Sequence, residues 1–142
     1  MFTGTFRVKV DEKGRLAIPA SFRPHLPEGS FLSIWQDGIL TIYPPEQWEA
    51  LSQRLRDPLL GPDQRALSRA LYSTAAAVEF DGQGRIGLSL EQRRLVGIES
   101  KGTAAVIGSG SRVEIWAESR WDGYSSEAMD RFTELADRVI GS

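Results

Sequence analysis

The chain states its central motif twice. Asp11-Glu12-Lys13-Gly14-Arg15-Leu16-Ala17-Ile18-Pro19 returns 70 residues later as Asp81-Gly82-Gln83-Gly84-Arg85-Ile86-Gly87-Leu88-Ser89. Asp, Gly and Arg keep their places, and apolar residues follow at the same two positions. A D-x-x-G-R pentapeptide alone carries little weight, because Asp and Gly mark turns everywhere. Here the echo continues. Arg23 and Arg93 share the same offset, and Leu40-Thr41-Ile42-Tyr43 before Trp48 is answered by Val113-Glu114-Ile115-Trp116 before Trp121, now 73 residues on. Two β-turn-β units, each followed by a β-hairpin and an aromatic-anchored helix, make an internal duplication. The fold must be built from two like halves.

Residues 5–10 alternate with the two-residue period of a strand: Phe6, Val8 and Val10 face inward, Arg7 and Lys9 outward. Asp11 to Gly14 makes the turn, with Asp able to bond its own backbone and Gly free to take positive φ. Leu16 and Ile18 then return to the core. The expected product is a hairpin carrying Arg7, Lys9, Lys13 and Arg15 at or near its outer surface and tip. A solvated strand face accounts for such alternation as well as a binding surface does. Pro19 is expected to start a short helix that Pro24 ends. His25 falls in the proline-flanked connection, as a loop or partly buried histidine rather than a catalytic one. Residues 31–35 and 39–43 read as strands around Gln36-Asp37-Gly38, a strong hairpin signal. Pro44-Pro45 opens a helix with Trp48, Leu51 and Leu55 as its core stripe.

Asp57-Pro58 breaks this helix and Gly61-Pro62 begins another, with Leu67, Ala70, Leu71 and Thr74 on one face. The second copy starts near Ala77. Val78 and Phe80 match Val8 and Val10, while Glu79 stands where Lys9 stood. Ser89 and Gln92 fit a capping box. Residues 103–107 and 112–116 form the second hairpin around Gly108-Ser109-Gly110. Residues 127–140 place Ala128, Phe132, Leu135, Ala136 and Val139 on one helical face, expected by default to pack on its own chain, and Gly141 is a plausible stop. The division that follows is 1–56 for the first half, 57–76 for a helical connector, 77–124 for the second half and 125–142 for a C-terminal helix.

Composition narrows the function classes. With 142 residues, 41% of them hydrophobic, the chain can build one compact domain or two small ones. No run of eighteen apolar residues predicts a membrane span, and the N-terminus lacks a signal-peptide pattern. The absence of cysteine excludes disulfides and thiolate metal sites and suits a reducing cytosol. A lone histidine cannot make a two-histidine metal site. There is no nucleophile elbow, Walker loop or H-E-x-x-H, and Gly108-x-Gly110 sits as a hairpin turn. Neither catalysis, a metal nor a cofactor is expected.

The net charge of −2 argues mildly against a general nucleic-acid binder. Its distribution matters more. Residues 1–25 hold five bases against two acids, whereas residues 113–142 hold three arginines against seven acids. Asp11 with Arg15, and Asp81 with Arg85, can pair across their turns, so Asp11, Gly14, Asp81 and Gly84 are assigned to turn structure. Arg15, sharing its surface with Arg7, Lys9 and Lys13, is assigned to DNA, where a guanidinium fork meets phosphates or the O6/N7 edge of guanine. For Arg85 the structural and DNA roles stay open.

These residues carry a resemblance. Met1-Phe2-x-Gly4, Asp11-x-x-Gly14-Arg15-Leu16-x-Ile18-Pro19, Asp81-x-x-Gly84-Arg85-Ile86, and the anchors Tyr43…Trp48 and Ile115-Trp116…Trp121 together resemble the MraZ family, bacterial regulators with two SpoVT-AbrB-like halves. The resemblance implies an α+β, mainly β fold: a swapped-hairpin β-barrel with peripheral helices. It also implies a ring-like homo-oligomer that binds double-stranded DNA at promoter repeats of its own division and cell-wall gene cluster, in the cytoplasm and at the nucleoid. By position, the family's Asp-x-x-x-Arg signature falls on Asp11 and Arg15 and again on Asp81 and Arg85. The DNA-binding set is therefore Arg7, Lys9, Lys13, Arg15 and Arg85. Gly82-Gln83 replaces Glu12-Lys13 and Ser89 replaces Pro19, which implies unequal roles for the two copies. Several hairpins on one ring multiply weak phosphate contacts through effective concentration. Spaced hairpins imply directly repeated sites on the order of ten base pairs apart. The competing expectation is an AbrB-fold interaction protein whose barrel or acidic C-terminal helix holds a protein partner.

Overall fold

The strand β1 (Thr5–Lys9) and the strand that follows it, β2 (Arg15–Ala17), lie in different sheets. The structure is a computed structural model and describes residues 1–57, 59 and 61–141. The turn between the two strands closes as expected, with the Asp11 amide donating to the Arg15 carbonyl at 2.8 Å and the Gly14 amide to the Asp11 carbonyl at 3.0 Å. Beyond it no ladder forms. β1 pairs instead with β7 (Thr103–Gly108), placing Phe6 opposite Val106 and Lys9 opposite Thr103. β2 pairs with β6 (Arg85–Gly87), placing Leu16 opposite Ile86. The expected four-base hairpin is thus corrected. Strand N–H and C=O groups must find partners, and the chain, switching sheets at Asp11, finds them in the other copy.

The remaining strands complete the pattern. β3 (Phe31–Trp35) and β4 (Ile39–Tyr43) form the predicted hairpin, closed by Asp37 and Gly38 at positive φ. β3 also pairs with β5 (Ala76–Ala77), as β1 does with β7. β7 and β8 (Val113–Ala117) form the second hairpin, and β4 pairs with β8 at the centre. The larger sheet runs β1-β7-β8-β4-β3-β5, all antiparallel, and β2-β6 makes a separate two-stranded sheet. Among the described residues β1 and β5 are not paired with each other, so hydrogen bonding does not close the sheet into a barrel.

Five α-helices hold more residues than the strands, so the fold is mixed α+β rather than mainly β. They are α1 (Pro45–Leu55), α2 (Gly61–Ser73), α3 (Leu90–Val96), α4 (Glu118–Asp130) and α5 (Phe132–Val139). α3 carries the predicted capping box: the Gln92 amide donates to Ser89 Oγ and the Ser89 amide to Gln92 Oε1, both at 3.0 Å. α1 stops at Leu55. Of the expected Asp57-Pro58 break, Pro58 lies outside the described residues. Pro24 does not end a helix but sits inside a 3-10 turn, Arg23–His25, where its fixed φ and missing N–H suit a first turn. Among the described residues no helix is long and apolar enough to cross a membrane.

Both sheets enclose one core. Leu16, Ile18, Ile86 and Leu88 close it from one side, and Leu32, Leu40, Ile42, Val106, Val113 and Ile115 from the other. Full burial of each such side chain stabilises by roughly 1.5–3 kcal/mol relative to exposure. Val10 joins this core and Val8 packs against it. Phe6 does not fully bury: it stays 36% exposed at the sheet edge, edge-on to Phe22 at 5.2 Å. Leu71 of α2 is buried, but Leu67 faces solvent. The larger departure is α5. Phe132 and Val139 are 64% and 80% exposed, and Ile140 just beyond the helix is 86% exposed, whereas Ala128, Leu135 and Ala136 of the same stripe are half-buried, so the stripe packs on its own chain only in part.

Candidate nucleic-acid interface

Asp11 organises the first turn through both carboxylate oxygens. Oδ1 accepts the amides of Lys13 and Arg15, each at 2.9 Å, and Oδ2 accepts Arg15 Nε at 2.7 Å. Asp81 repeats this in the second copy, with the amides of Gln83 and Arg85 at 2.9 and 3.0 Å and Arg85 Nε at 2.8 Å. These donors favour the ionised form. The Arg15 amide above all lowers the Asp11 carboxyl, and the Arg85 amide lowers Asp81 from 3.8 to about 2. Each carboxylate holds its turn and fixes the root of one guanidinium.

The β2–β6 ladder brings the two arginines together. Arg15 stands opposite Gly87 and Arg85 opposite Ala17, with Leu16 and Ile86 pointing into the core between them. Successive strand residues face opposite sides, so Arg15, Ala17, Arg85 and Gly87 share the outer face. Two guanidiniums thus sit diagonally over a floor made of the small residues Ala17 and Gly87. Arg85 Nη1 also reaches Asp11 Oδ2 at 3.5 Å, linking the signatures of the two copies. Arg15, held only through Nε among the described residues, keeps its terminal nitrogens available.

The turns are buttressed crosswise. The Ile18 amide donates to the Gly84 carbonyl at 3.1 Å, and the Leu88 amide to the Gly14 carbonyl at 2.9 Å. The Arg23 guanidinium lies against Gly84 and that of Arg93 against Gly14, so a β-carbon on either glycine would collide with the arginine of the other half. The repeat offset of Arg23 and Arg93 was visible in the sequence, but their positions beneath the opposite turns were not. Only the folded ladder brings residues so distant in sequence together.

The other candidates separate. Lys13 lies exposed at the tip of its turn and Lys9 exposed at the end of β1, and neither makes an ion pair among the described residues. Arg7 is engaged elsewhere, donating to Glu118 at 3.0 Å and Asp122 at 2.7 Å, both on α4. Its guanidinium ties β1 to the acidic C-terminal segment instead of joining Arg15.

The comparisons with known proteins agree with the duplication. The family model for MraZ protein, an antitoxin-like family, matches residues 1–70 and again residues 71–141. The chain is 40% identical over 141 residues to the transcriptional regulator MraZ of Pelotomaculum thermopropionicum, covering 99% of this chain and 96% of that one. It is 38% identical over 141 residues to the protein of the same name from Ligilactobacillus salivarius, covering 99% and 97%. For the one from Natranaerobius thermophilus the identity is 36%, with the same coverage.

Proposed function

The chain belongs to the MraZ family of transcriptional regulators, a family without enzymatic activity, and from that membership we propose that it acts by binding double-stranded promoter DNA through the outer face of β2–β6. One observation carries this reading: the ladder places Arg15 and Arg85, one from each repeat, side by side over Ala17 and Gly87, with Lys13 at the adjoining tip. A shallow floor under two guanidiniums lets a phosphate backbone or a guanine edge approach both. Asp11 and Asp81 pre-orient them, which lowers the ordering cost of binding. The two sheets around one core are read as an open version of the swapped-hairpin barrel. Several copies of the chain, arranged as a ring, engage directly repeated sites in the promoter of its own division and cell-wall gene cluster, at the nucleoid.

The exposed stripe of α5 favours a second reading, in which the C-terminal segment holds a protein partner. Fluorescence anisotropy separates the two. Labelled DNA from the region upstream of the protein's own gene is titrated against a shuffled fragment across a salt series. Tight, steeply salt-dependent binding to the native fragment alone is expected. Equal binding to both fragments would reduce the reading to generic electrostatics, and no binding to either would leave only the protein partner.

A further inference from the structure

Tyr43 is 1% exposed, yet its hydroxyl has no hydrogen-bond partner of ordinary geometry among the described residues. It belongs to the face of β4 turned away from the β2–β6 ladder, since Ile42 points into the core and successive strand residues alternate. Over this face lies α1, with Trp48 packed on Tyr43 at 5.3 Å. Gln47, Ala50, Leu51 and Arg54 recur at the three- and four-residue spacing of a single helix face. Between that face and the sheet is a cavity of about 210 Å³, with Trp35 and Tyr43 as its aromatic wall. Arg112 completes the lining, its guanidinium carbon 5.8 Å from the centroid of each ring.

The charges here are uncompensated. Neither Arg54 nor Arg112 makes an ion pair among the described residues. Burial pushes the Tyr43 hydroxyl up to about 12 and the Arg112 charge opposes the rise, so Tyr43 stays a neutral donor beside Arg112. The second repeat fills the same place. At the 73-residue offset Trp116 stands for Tyr43 and Tyr124 for Leu51, and their ring centroids are 4.9 Å apart. Glu127 stands for Arg54, and Arg120, in the place of Gln47, is engaged with the carbonyls of Asp37 and Gly38, each at 2.7 Å. The duplicated unit can therefore close this space with aromatic rings, as close-packed interiors do. The first repeat leaves it open and lines it with cations.

We propose that this cavity binds a small organic phosphate, held at its oxygens by Arg112 and Arg54 and along its carbon skeleton by Trp35 and Leu51. Two guanidiniums suit a phosphate, whose several acceptor oxygens each take a charge-assisted hydrogen bond. The space equals about seven waters at roughly 30 Å³ each. That is less than the roughly 300–1,000 Å³ of a site for a drug-sized ligand, so the carbon part is small. The cavity lies across the larger sheet from β2–β6, so its occupant leaves the proposed DNA face free. The site stands whether or not that face binds DNA.

Isothermal titration calorimetry of the full chain, in buffer free of phosphate, tests this with phenyl phosphate as the probe. One site per chain is expected. Inorganic phosphate, which lacks the ring, and benzoate, which lacks the second charge, are each expected to bind at least about tenfold more weakly. Arg112→Ala and Arg54→Ala are each expected to weaken the probe by at least about tenfold, the usual effect of losing a hydrogen bond to a charged group. Arg69→Ala, at an exposed arginine of α2 outside the cavity, is expected to change nothing. Leu51→Tyr, which copies the second repeat, is expected to abolish binding. Should that variant not fold, Arg54→Ala still decides, because Arg54 is exposed on α1. Absence of saturable binding overturns the proposal. So does binding that survives both arginine variants, which would mark an adventitious anion only. Equal affinity for benzoate or for inorganic phosphate overturns the organic phosphate as ligand. Absence of probe binding, with a lower solution mass for Leu51→Tyr, would show that the cavity receives a side chain of a second copy instead.

Discussion

Arg93 lies so close beneath Gly14 that a β-carbon on that glycine would stand 2.7 Å from its Nε and 2.8 Å from the Leu88 carbonyl oxygen. The glycine also holds φ at +80°, a conformation that L side chains rarely adopt. Gly84, at +75°, bears the same relation to Arg23. Gly14→Ala and Gly84→Ala are therefore each expected to destabilise the protein by at least about 1–3 kcal/mol, from backbone strain alone before the collision is counted. Gly82→Ala is the control, since that residue has neither positive φ nor a neighbour within 4 Å. Thermal unfolding checks this, and a loss at Gly82 equal to that at Gly14 would count against it.

Arg15 and Arg85 are not equally available. Arg85 is held by Asp81 and reaches Asp11, whereas Arg15 is held through Nε alone. Arg15→Ala is accordingly expected to weaken promoter binding more than Arg85→Ala, and to reduce the salt slope by about one if its partner is a phosphate. The same anisotropy titration measures both. Equal losses would mean that the two copies serve DNA alike.

Acid should loosen the second turn in a defined window. Asp81 titrates near 2 in the folded protein against an ordinary 3.8, because the Arg85 amide, then the Gln83 amide and the Arg85 side chain, favour its anion. A carboxyl depressed in the folded state adds stability that is fully present above its unfolded value and lost as pH falls through the folded one. The denaturant midpoint is expected to decline from about pH 4 to pH 2, and Asp81→Asn to flatten that decline while lowering the midpoint at neutral pH. Parallel pH curves for the two proteins would show that Asp81 is not the group responsible.

The exposed face of α5 makes a contrary prediction about stability. Phe132→Ser and Ile140→Ser remove large apolar side chains, yet each should shift the unfolding free energy by no more than about 0.5 kcal/mol at low protein concentration, as surface substitutions do. Truncating a packed Phe costs roughly 3–5 kcal/mol. A loss of that size would place the helix against its own chain.

Much of this architecture could be read from the residues, for physical reasons that differ by element. The β3 and β4 boundaries followed from Asp37-Gly38, whose turn chemistry is local. The α3 cap followed from Ser89 and Gln92, which satisfy each other across three residues. The convergence of Arg15 and Arg85 was not legible, because a turn at Asp11 says where a strand ends and nothing about which strand it joins. Arg23 and Arg93 escaped for a related reason, since close approach to a glycine 61 or 79 residues away leaves no periodic trace. For α5 the periodicity was readable and its consequence was not. An apolar stripe records that something can cover it, without saying what.

The crossed pairing of the strands has a consequence for origins. β1 and β2 find their partners in the second repeat, and β5 and β6 find theirs in the first. A single repeat on its own would carry unfilled strand edges and half a core, and could fold only by meeting another copy of itself. Such a dimer comes apart on dilution, because its stability depends on protomer concentration. Joining two repeats end to end removes that dependence, since each half then travels with its complement. Once joined, the halves were also free to diverge. The contrast between Lys13 and Gln83 is a difference that no pair of identical subunits could have held.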